Sequence, residues 1–348
     1  MTITEIEQEH PIHTVSPSIA DEDLPTIAVG VLNYNRASEA IATLSELAGI
    51  DYPKEKVQLV LLDNASTDGS VEETRTAFGE DVEILQLPQN IGPVARNRVM
   101  LHRPEEYVFV FDEDCRPERP DTLRRVIEFM EANREFGALC FACFNYHLGI
   151  REYGHPGDFY RRALPNGAYE GMYVIGNGMC FRSSMISRTE GYDERLLWGG
   201  EEYDLALELL YHDIPIAFHP DFVLIHYHAP RAHSSKRSWE LDMRNNIWIS
   251  FRRFPLVLSV PVAFTHITRR LLSSALKRDW IKFSGFLRGL RSGFARLPEF
   301  IATRKPVPIR KFIPHSRWFA QMFYSPRSFA ADHKRAIREK TEVGTEKA

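Results

Sequence analysis

Only four cysteines occur in 348 residues, at positions 115, 140, 143 and 180. So sparse a set excludes a disulfide-stapled scaffold and points to a reducing compartment. Cys140 and Cys143 form a C-x-x-C, but no second pair completes a zinc site. Both lie in the strand-like run Ala138 to Phe144, so core packing is their expected job. Long hydrophobic runs are also lacking: the longest uncharged apolar stretch, Phe254 to Thr265, has 12 residues and two prolines, against the ~20 needed to span a bilayer. The amino terminus is polar and acidic, without the apolar core of a signal peptide. The expectation is a cytoplasmic chain that crosses no membrane, with a disordered acidic tail over residues 1–24 and a polar tail over 325–348. No internal repeat and no low-complexity segment is present.

What is present is a chain with 44% hydrophobic residues, enough for one large core plus an appendage. From Thr26 onward, strand and helix patterns alternate. Strand runs cover Thr26 to Leu32, Val57 to Leu62, Val82 to Leu85 and the stretch ending in Asp112. Helical spacing covers Ala37 to Ala48, Ser70 to Phe78 and Pro93 to Leu101. Such alternation predicts an α/β fold with a doubly wound, mostly parallel sheet over residues 25–254. Tyr146 to Gly171, rich in Gly, Pro, His, Tyr and Arg, reads as a long loop. A strand at Met172 to Arg182, a helix at Glu201 to Tyr211, a strand at Phe222 to Tyr227 and a helix from about Lys236 to Phe254 complete the prediction.

The run Val-Phe-Val-Phe-Asp-Glu-Asp, residues 108 to 114, predicts a strand buried on both faces that ends in Asp112 and Asp114. Carboxylates at that end sit where open α/β sheets bind ligands, and a divalent cation there could hold a phosphate. Asp is also common at strand ends and turns, so the pair alone decides little. Three other loops converge on the same edge. They carry Asn33, Asn35 and Arg36; Asp63, Asn64 and Ser66; and Asn90 and Arg96. A nucleotide site requires such a gathering of polar groups from several strand ends.

Val-Leu-Asn-Tyr-Asn-Arg, Leu-Leu-Asp-Asn-Ala-Ser-Thr-Asp-Gly-Ser, Asn-Ile-Gly-Pro-Val-Ala-Arg-Asn, Phe-Asp-Glu-Asp, Gly-Tyr-Asp-Glu and Trp-Gly-Gly-Glu-Glu-Tyr-Asp-Leu, in this order, resemble glycosyltransferase family 2. Those are inverting enzymes with the GT-A fold, and the polysaccharide and rhamnosyl-type transferases among them are the nearest in character. The resemblance covers roughly residues 26 to 250. It implies that Asn33 and Arg36 line the base and ribose of a nucleotide-diphosphate sugar, that Asp63 accepts a hydrogen bond from the base, and that Arg96 faces the phosphates or sugar. It also implies that Asp112 and Asp114 hold Mg²⁺ or Mn²⁺, with Asp114 the more direct ligand. The family's usual Glu-Asp-x-Asp-Leu appears here as Glu201-Glu202-Tyr203-Asp204-Leu205. Glu202 therefore takes the position of the general base, one methylene longer than the usual Asp, with Glu201 and Asp204 as its neighbours in that role. Three acids at a helix start would also suit the macrodipole without any catalysis. His226 and His228, on one side of a strand by the period of two, are further candidate metal ligands.

The net charge of −4 is unevenly spread. Thr265 to Lys311 holds twelve Lys/Arg against two acids, a local +10 that leaves −14 elsewhere. Within it Trp280, Phe283, Leu287, Leu290 and Phe294 recur at intervals of 3 and 4, one helical stripe flanked by cations. A basic amphipathic extension over 255–324 is thus expected, lying on an anionic membrane at the inner face of the cell envelope, with the stripe's packing on the catalytic domain as the plainer reading. No nucleic-acid motif accompanies the basic segment. Together these readings predict transfer of a sugar to a hydroxyl of a saccharide or lipid-linked acceptor in surface glycan synthesis. Two alternatives stay open: a degenerate nucleotide-sugar-binding or scaffold protein, and a sugar nucleotidyltransferase. The latter would want a Gly-rich, Lys-bearing loop after the first strand, where Asn-Tyr-Asn-Arg stands instead.

Overall fold

The computed structural model describes residues 18–153, 160–164, 167–172, 174–228 and 235–315. Most of the expected acidic tail and the whole polar tail lie outside them. Four parallel strands form first: β1 (Ile27–Asn33), β2 (Val57–Asp63), β3 (Val82–Gln86) and β4 (Tyr107–Asp112). Their order is β3-β2-β1-β4. β1 is buried at every position, as expected for a run without alternation. The crossover helices α1 (Ala37–Leu47) and α2 (Ser70–Phe78) start and stop almost where their apolar spacing does. Pro93 to Leu101 is less regular, a 3₁₀ turn over Gly92–Arg96 followed by one α turn over Asn97–Met100.

Beyond β4 the sheet changes character. β5 (Cys115–Pro117) pairs with β11 (Ile216–His226), and β6 (Ala138–Asn145) follows helix α3 (Thr122–Ala132). The expected loop from 146 to 171 instead contains β7 (Ile150–Tyr153), β8 (Tyr160–Ala163) and β9 (Tyr169–Gly171). These are strands of three or four residues at the margin of the sheet, Ile-Arg-Glu-Tyr, Tyr-Arg-Arg-Ala and Tyr-Glu-Gly, too short for a period of two to show. β10 (Gly178–Arg182) begins six residues later than expected and runs antiparallel between β4 and β6. β11 spans Ile216–His226, longer than the run read from Phe222, and slips register against β6 between His219 and Val223, next to Pro220.

The helix α4 (Glu201–Tyr211) is followed after β11 by α5 (Lys236–Arg253), α6 (Leu256–Leu276), α7 (Trp280–Ala295) and α8 (Leu297–Ala302). α5 is the inner member of this layer. Trp248, fully buried, stacks on Phe300 with ring centroids 4.2 Å apart and donates to the Gly293 carbonyl at 2.8 Å. α7 meets α5 through Gly285, Gly289 and Gly293, spaced by four so that they line one face. A Cβ at Gly289 would collide with the Glu240 carbonyl oxygen and stand 2.7 Å from Met243 Cβ. The buried face of α7 is therefore lined by these glycines together with Phe286, which meets Trp239 edge-on at 5.8 Å. Trp280, Leu287 and Phe294 of the predicted stripe point outward, and Phe283 and Leu290 are half-buried.

Gly289→Leu is expected to force the two helices apart and cost at least the ~1–3 kcal/mol typical of overpacking. Leu287→Ser on the outer face should stay within about 0.5 kcal/mol. Chemical denaturation of both variants checks this, and an equal cost at the two positions would mean that the faces of α7 are reversed.

Candidate active site

The parallel register sets Asn33 beside Asp63 and Leu32 beside Asp112 at one edge of the sheet. Asn33 donates from Nδ2 to Asp63 Oδ1 at 3.2 Å and to Ser66 Oγ at 3.1 Å, and the Ser66 N–H donates to Asp63 Oδ2 at 3.1 Å. Asn35 joins by donating its N–H to Ser66 Oγ at 2.9 Å. Asn64 ties the second loop to the third, accepting from the Ile91 N–H at 2.9 Å and donating to the Gly92 carbonyl at 3.1 Å. Asn90 is exposed and accepts from the Gly92 N–H at 2.8 Å. Asn33 Oδ1 is buried with no hydrogen-bond partner among the described residues, which leaves an acceptor for a ligand. Asn35, Ala65 and Leu197 carry left-handed backbone with φ of 54, 65 and 64°, strain of a kind that collects at binding loops.

The carboxylates of the strand end are each answered by a cation. Arg96, buried, forms an ion pair with Asp112. Arg36 reaches Asp114 at 2.5 Å and Glu113 at 2.9 Å. His226 Nε2 and His228 Nδ1 stand 3.4 and 3.5 Å from the Asp114 oxygens, and the two rings stack at 5.3 Å, on one side as the strand period requires. Burial alone would raise the Asp114 carboxyl. Hydrogen bonds from both imidazoles and the charge of Arg36 hold it well below the usual carboxylate range. Carboxylate oxygens with imidazole nitrogens beside them are a donor set that fits Mn²⁺ or Mg²⁺. Asp112, Asp114, His226 and His228 are thus brought together.

The third element is the start of α4. Gly199 and Gly200 adopt φ of 86 and 88°, which a Cβ would oppose, and so turn the chain into the helix at Glu201. Glu202 Oε1 accepts from the Gly176 N–H at 2.5 Å, and a Cβ at Gly176 would collide with that oxygen and stand 3.5 Å from an Arg96 nitrogen. Arg96 therefore sits between Asp112 and Glu202. Burial and the neighbouring Glu201 charge push the Glu202 carboxyl up to about 8, against the pull of Gly176 and Arg96. Glu201 is buried, with Oε2 unpartnered among the described residues. Asp204 points elsewhere: its two oxygens accept from Arg253 at 2.6 and 2.7 Å, and Glu208 completes the buried cluster. Asn245 of α5 donates to the carbonyls of Leu196, Trp198 and Gly199 at 2.9, 3.0 and 2.6 Å, which fixes the turn before Glu201.

Gly176, Glu152 and Arg253 are absent from the sequence prediction. Two glycines flanking Asn177 were a readable sign of a turn with close backbone approach. Glu152 lay in the supposed loop. It accepts from Asn145 Nδ2 at 2.8 Å and meets His226 Nδ1 at 2.6 Å. Burial lowers the His226 imidazole, but its bonds to Asp114, Cys143 and Glu152 override this and push it up to about 12.

The model of Glycosyl transferase family 2 matches residues 28–191. No curated protein matches the chain by sequence. Among solved structures, the Pyrobaculum calidifontis mannosyltransferase PcManGT, in complex with GDP-Man and Mn²⁺, aligns at 17% identity and TM-score 0.53, over 83% of this chain and 92% of that one. S. aureus TarS 1-349 with UDP-GlcNAc aligns at 17% identity and TM-score 0.55, over 92% of both chains. GalNAc-T7 with UDP, GalNAc and Mn²⁺ aligns at 14% identity and TM-score 0.57, over 80% of this chain and 58% of that one. The fold is GT-A, as the sequence predicted.

Arg253→Met leaves Asp204 and Glu208 buried without their cation and should cost ~3–5 kcal/mol near neutral pH. Burial raises the Glu208 carboxyl and Arg253 more than reverses this, so its net position is low. A depressed carboxyl stabilises the fold above its unfolded value of ~4.3 and loses that contribution as pH falls through the folded value. The variant's deficit should therefore shrink as pH is lowered below about 4, which denaturant titrations at pH 7 and about pH 3 measure.

Proposed function

We propose that this chain, whose residues 28–191 form a glycosyl transferase family 2 domain, moves a sugar from a nucleotide-diphosphate donor to a hydroxyl with inversion at the anomeric carbon. The observation that carries the reading is the position of buried Arg96 between Asp112 at the end of β4 and Glu202 at the start of α4. One cation there faces both the phosphate side and the base side of a reacting sugar. Glu202, with its carboxyl raised to about 8, takes the proton of the acceptor hydroxyl, whose oxygen bonds to the anomeric carbon as the bond to the diphosphate breaks. The diphosphate departs with the electron pair, facing Arg96. Asp112 and Asp114 would hold a divalent cation, which would neutralise charge on that leaving group. Asn33, Asp63 and Ser66 hold the base and ribose. The complexes of the similar folds with GDP-Man or UDP-GlcNAc support a nucleotide-sugar donor, and those with Mn²⁺ support the cation.

The acceptor is a saccharide or a lipid-linked saccharide met at an anionic membrane surface. No helix of the described residues is long and apolar enough to cross a membrane. The outer face of the helical layer nevertheless exposes Leu256, Val260, Phe264, Leu272 and Leu276, every fourth residue of α6 apart from Thr268, and continues into Trp280, Leu287 and Phe294 of α7. Arg269, Lys277, Arg278, Arg288 and Arg291 are exposed around it. An apolar face rimmed by cations suits a bilayer interface, where each basic residue adds on the order of 1 kcal/mol.

Glu202→Gln should keep nucleotide-sugar affinity, read by calorimetry, while turnover falls by ~10²–10⁴. Asp114→Ala should lose the dependence of donor binding on Mn²⁺. Near wild-type turnover by Glu202→Gln, alongside an inactive Glu201→Gln, would move the base by one residue.

In flotation assays the full chain should rise with anionic vesicles and not with neutral ones, and Phe264→Asp with Leu272→Asp should abolish this. Equal recovery on both vesicle types, or none at low salt, would reduce the face to an exposed apolar surface.

A further inference from the structure

Glycosyl transfer leaves unused a second set of ligating groups beside the crevice. Cys143 on β6, Glu152 on β7 and His226 on β11 bring one sulfur, one carboxylate oxygen and one imidazole nitrogen within 4.8 Å of one another. Glu152 Oε2 is 2.6 Å from His226 Nδ1 and 3.8 Å from Cys143 Sγ, and Asn177 Nδ2 approaches the sulfur at 3.4 Å. Cys143 and Glu152 are buried, at 1% and 7% exposure. All four cysteines are free thiols, so this sulfur is not consumed in a disulfide. Burying a carboxylate and an imidazole beside a thiol costs free energy that an apolar trio would not. The set is also softer than that of Asp112 and Asp114. Sulfur, nitrogen and one oxygen suit Zn²⁺, whose bonds of about 2.0–2.3 Å place ligand atoms roughly 3.5 Å apart, or the larger thiophilic ion Cd²⁺.

His226 belongs to both sets through different nitrogens. Nε2 faces Asp114 at 3.4 Å, and Nδ1 faces Glu152. The imidazolium gives up one proton to bind a cation, which leaves one lone pair and one N–H. A cation on Nε2 leaves Nδ1–H to donate to Glu152, and a cation on Nδ1 leaves Nε2–H to donate to Asp114. We propose that Cys143, Glu152 and His226 Nδ1 form a site for a thiophilic divalent cation, and that filling it withdraws His226 from the hard-cation site at Asp114. The site itself stands on its own geometry, while the competition rests on the reading of Asp114 as a cation ligand.

Titration of the full chain with Cd²⁺ tests this through the ultraviolet thiolate-to-metal charge-transfer band, with Mn²⁺ followed separately by electron paramagnetic resonance. One equivalent of Cd²⁺ should produce the band. Cys143→Ser should abolish it, Cys115→Ser should retain it, and Glu152→Gln, which spares the thiol, should weaken Cd²⁺ binding about tenfold or more. Bound Mn²⁺ should be released as the band grows. Absence of the band, its survival in Cys143→Ser, or its loss in Cys115→Ser alone overturns the site. A band that grows without release of bound Mn²⁺ overturns the competition. Failure of Mn²⁺ to bind at all, with the band intact, refutes instead the assignment of Asp114.

Discussion

Arg253 is the residue on which the arrangement of the crevice depends. Its guanidinium is fully buried and bonded to both Asp204 and Glu208 on α4, the helix whose first turn carries Glu201 and Glu202. A buried cation with two carboxylates contributes little net stability compared with an apolar trio, yet breaking it is costly. Its effect is to fix one rotation and one height of α4 against α5. Asn245 and Arg244, further up α5, hold the carbonyls of Leu196 to Gly199. One helix thus clamps both the turn before Glu202 and the two turns after it.

The crevice itself is arranged so that each anionic group has a cation that a ligand could displace or recruit. Asp112 has Arg96, Asp114 has Arg36 with two imidazoles, and Glu202 has the Gly176 N–H with Arg96 nearby. Such pairs keep the buried charges tolerable. They also leave carboxylates in two different protonation environments, Asp114 held low and Glu202 raised. Separation of that kind is what acid–base chemistry near neutrality uses.

The readable part of the fold was the part built from local pattern. β1 to β4, α1, α2 and α4 came from continuous apolar runs or from 3.6-residue spacing, and the strand-end carboxylates followed from them. β7 to β9 were hidden because strands of three or four residues, set among Gly- and Pro-rich turns, are too short to show alternation, and Glu152 was lost with them. The pairing of Asp204 with Arg253, 49 residues apart, left no trace in local spacing, so Asp204 read as one acid among three. The glycines at 285, 289 and 293 were visible, but the aromatic stripe on the same helix drew the reading. The stripe follows apolar character, whereas the glycines follow how close a neighbouring backbone must come.

That last distinction also bears on the helical layer. A helix that packed by its aromatic face would have hidden Trp280 and Phe294 and turned its cations to water. Packing by glycines puts the close backbone approach and Phe286 on the inner side and leaves Trp280, Leu287 and Phe294 outside with Arg288 and Arg291 beside them. α5 braces both the helical layer and the start of α4. Its glycine-contacting residues Trp239, Glu240 and Met243 support α7, while Asn245 and Arg253 hold the turn and helix that carry Glu202. The exposed apolar face of α6 and α7 and the carboxylates at the start of α4 are thus braced by one helix between them.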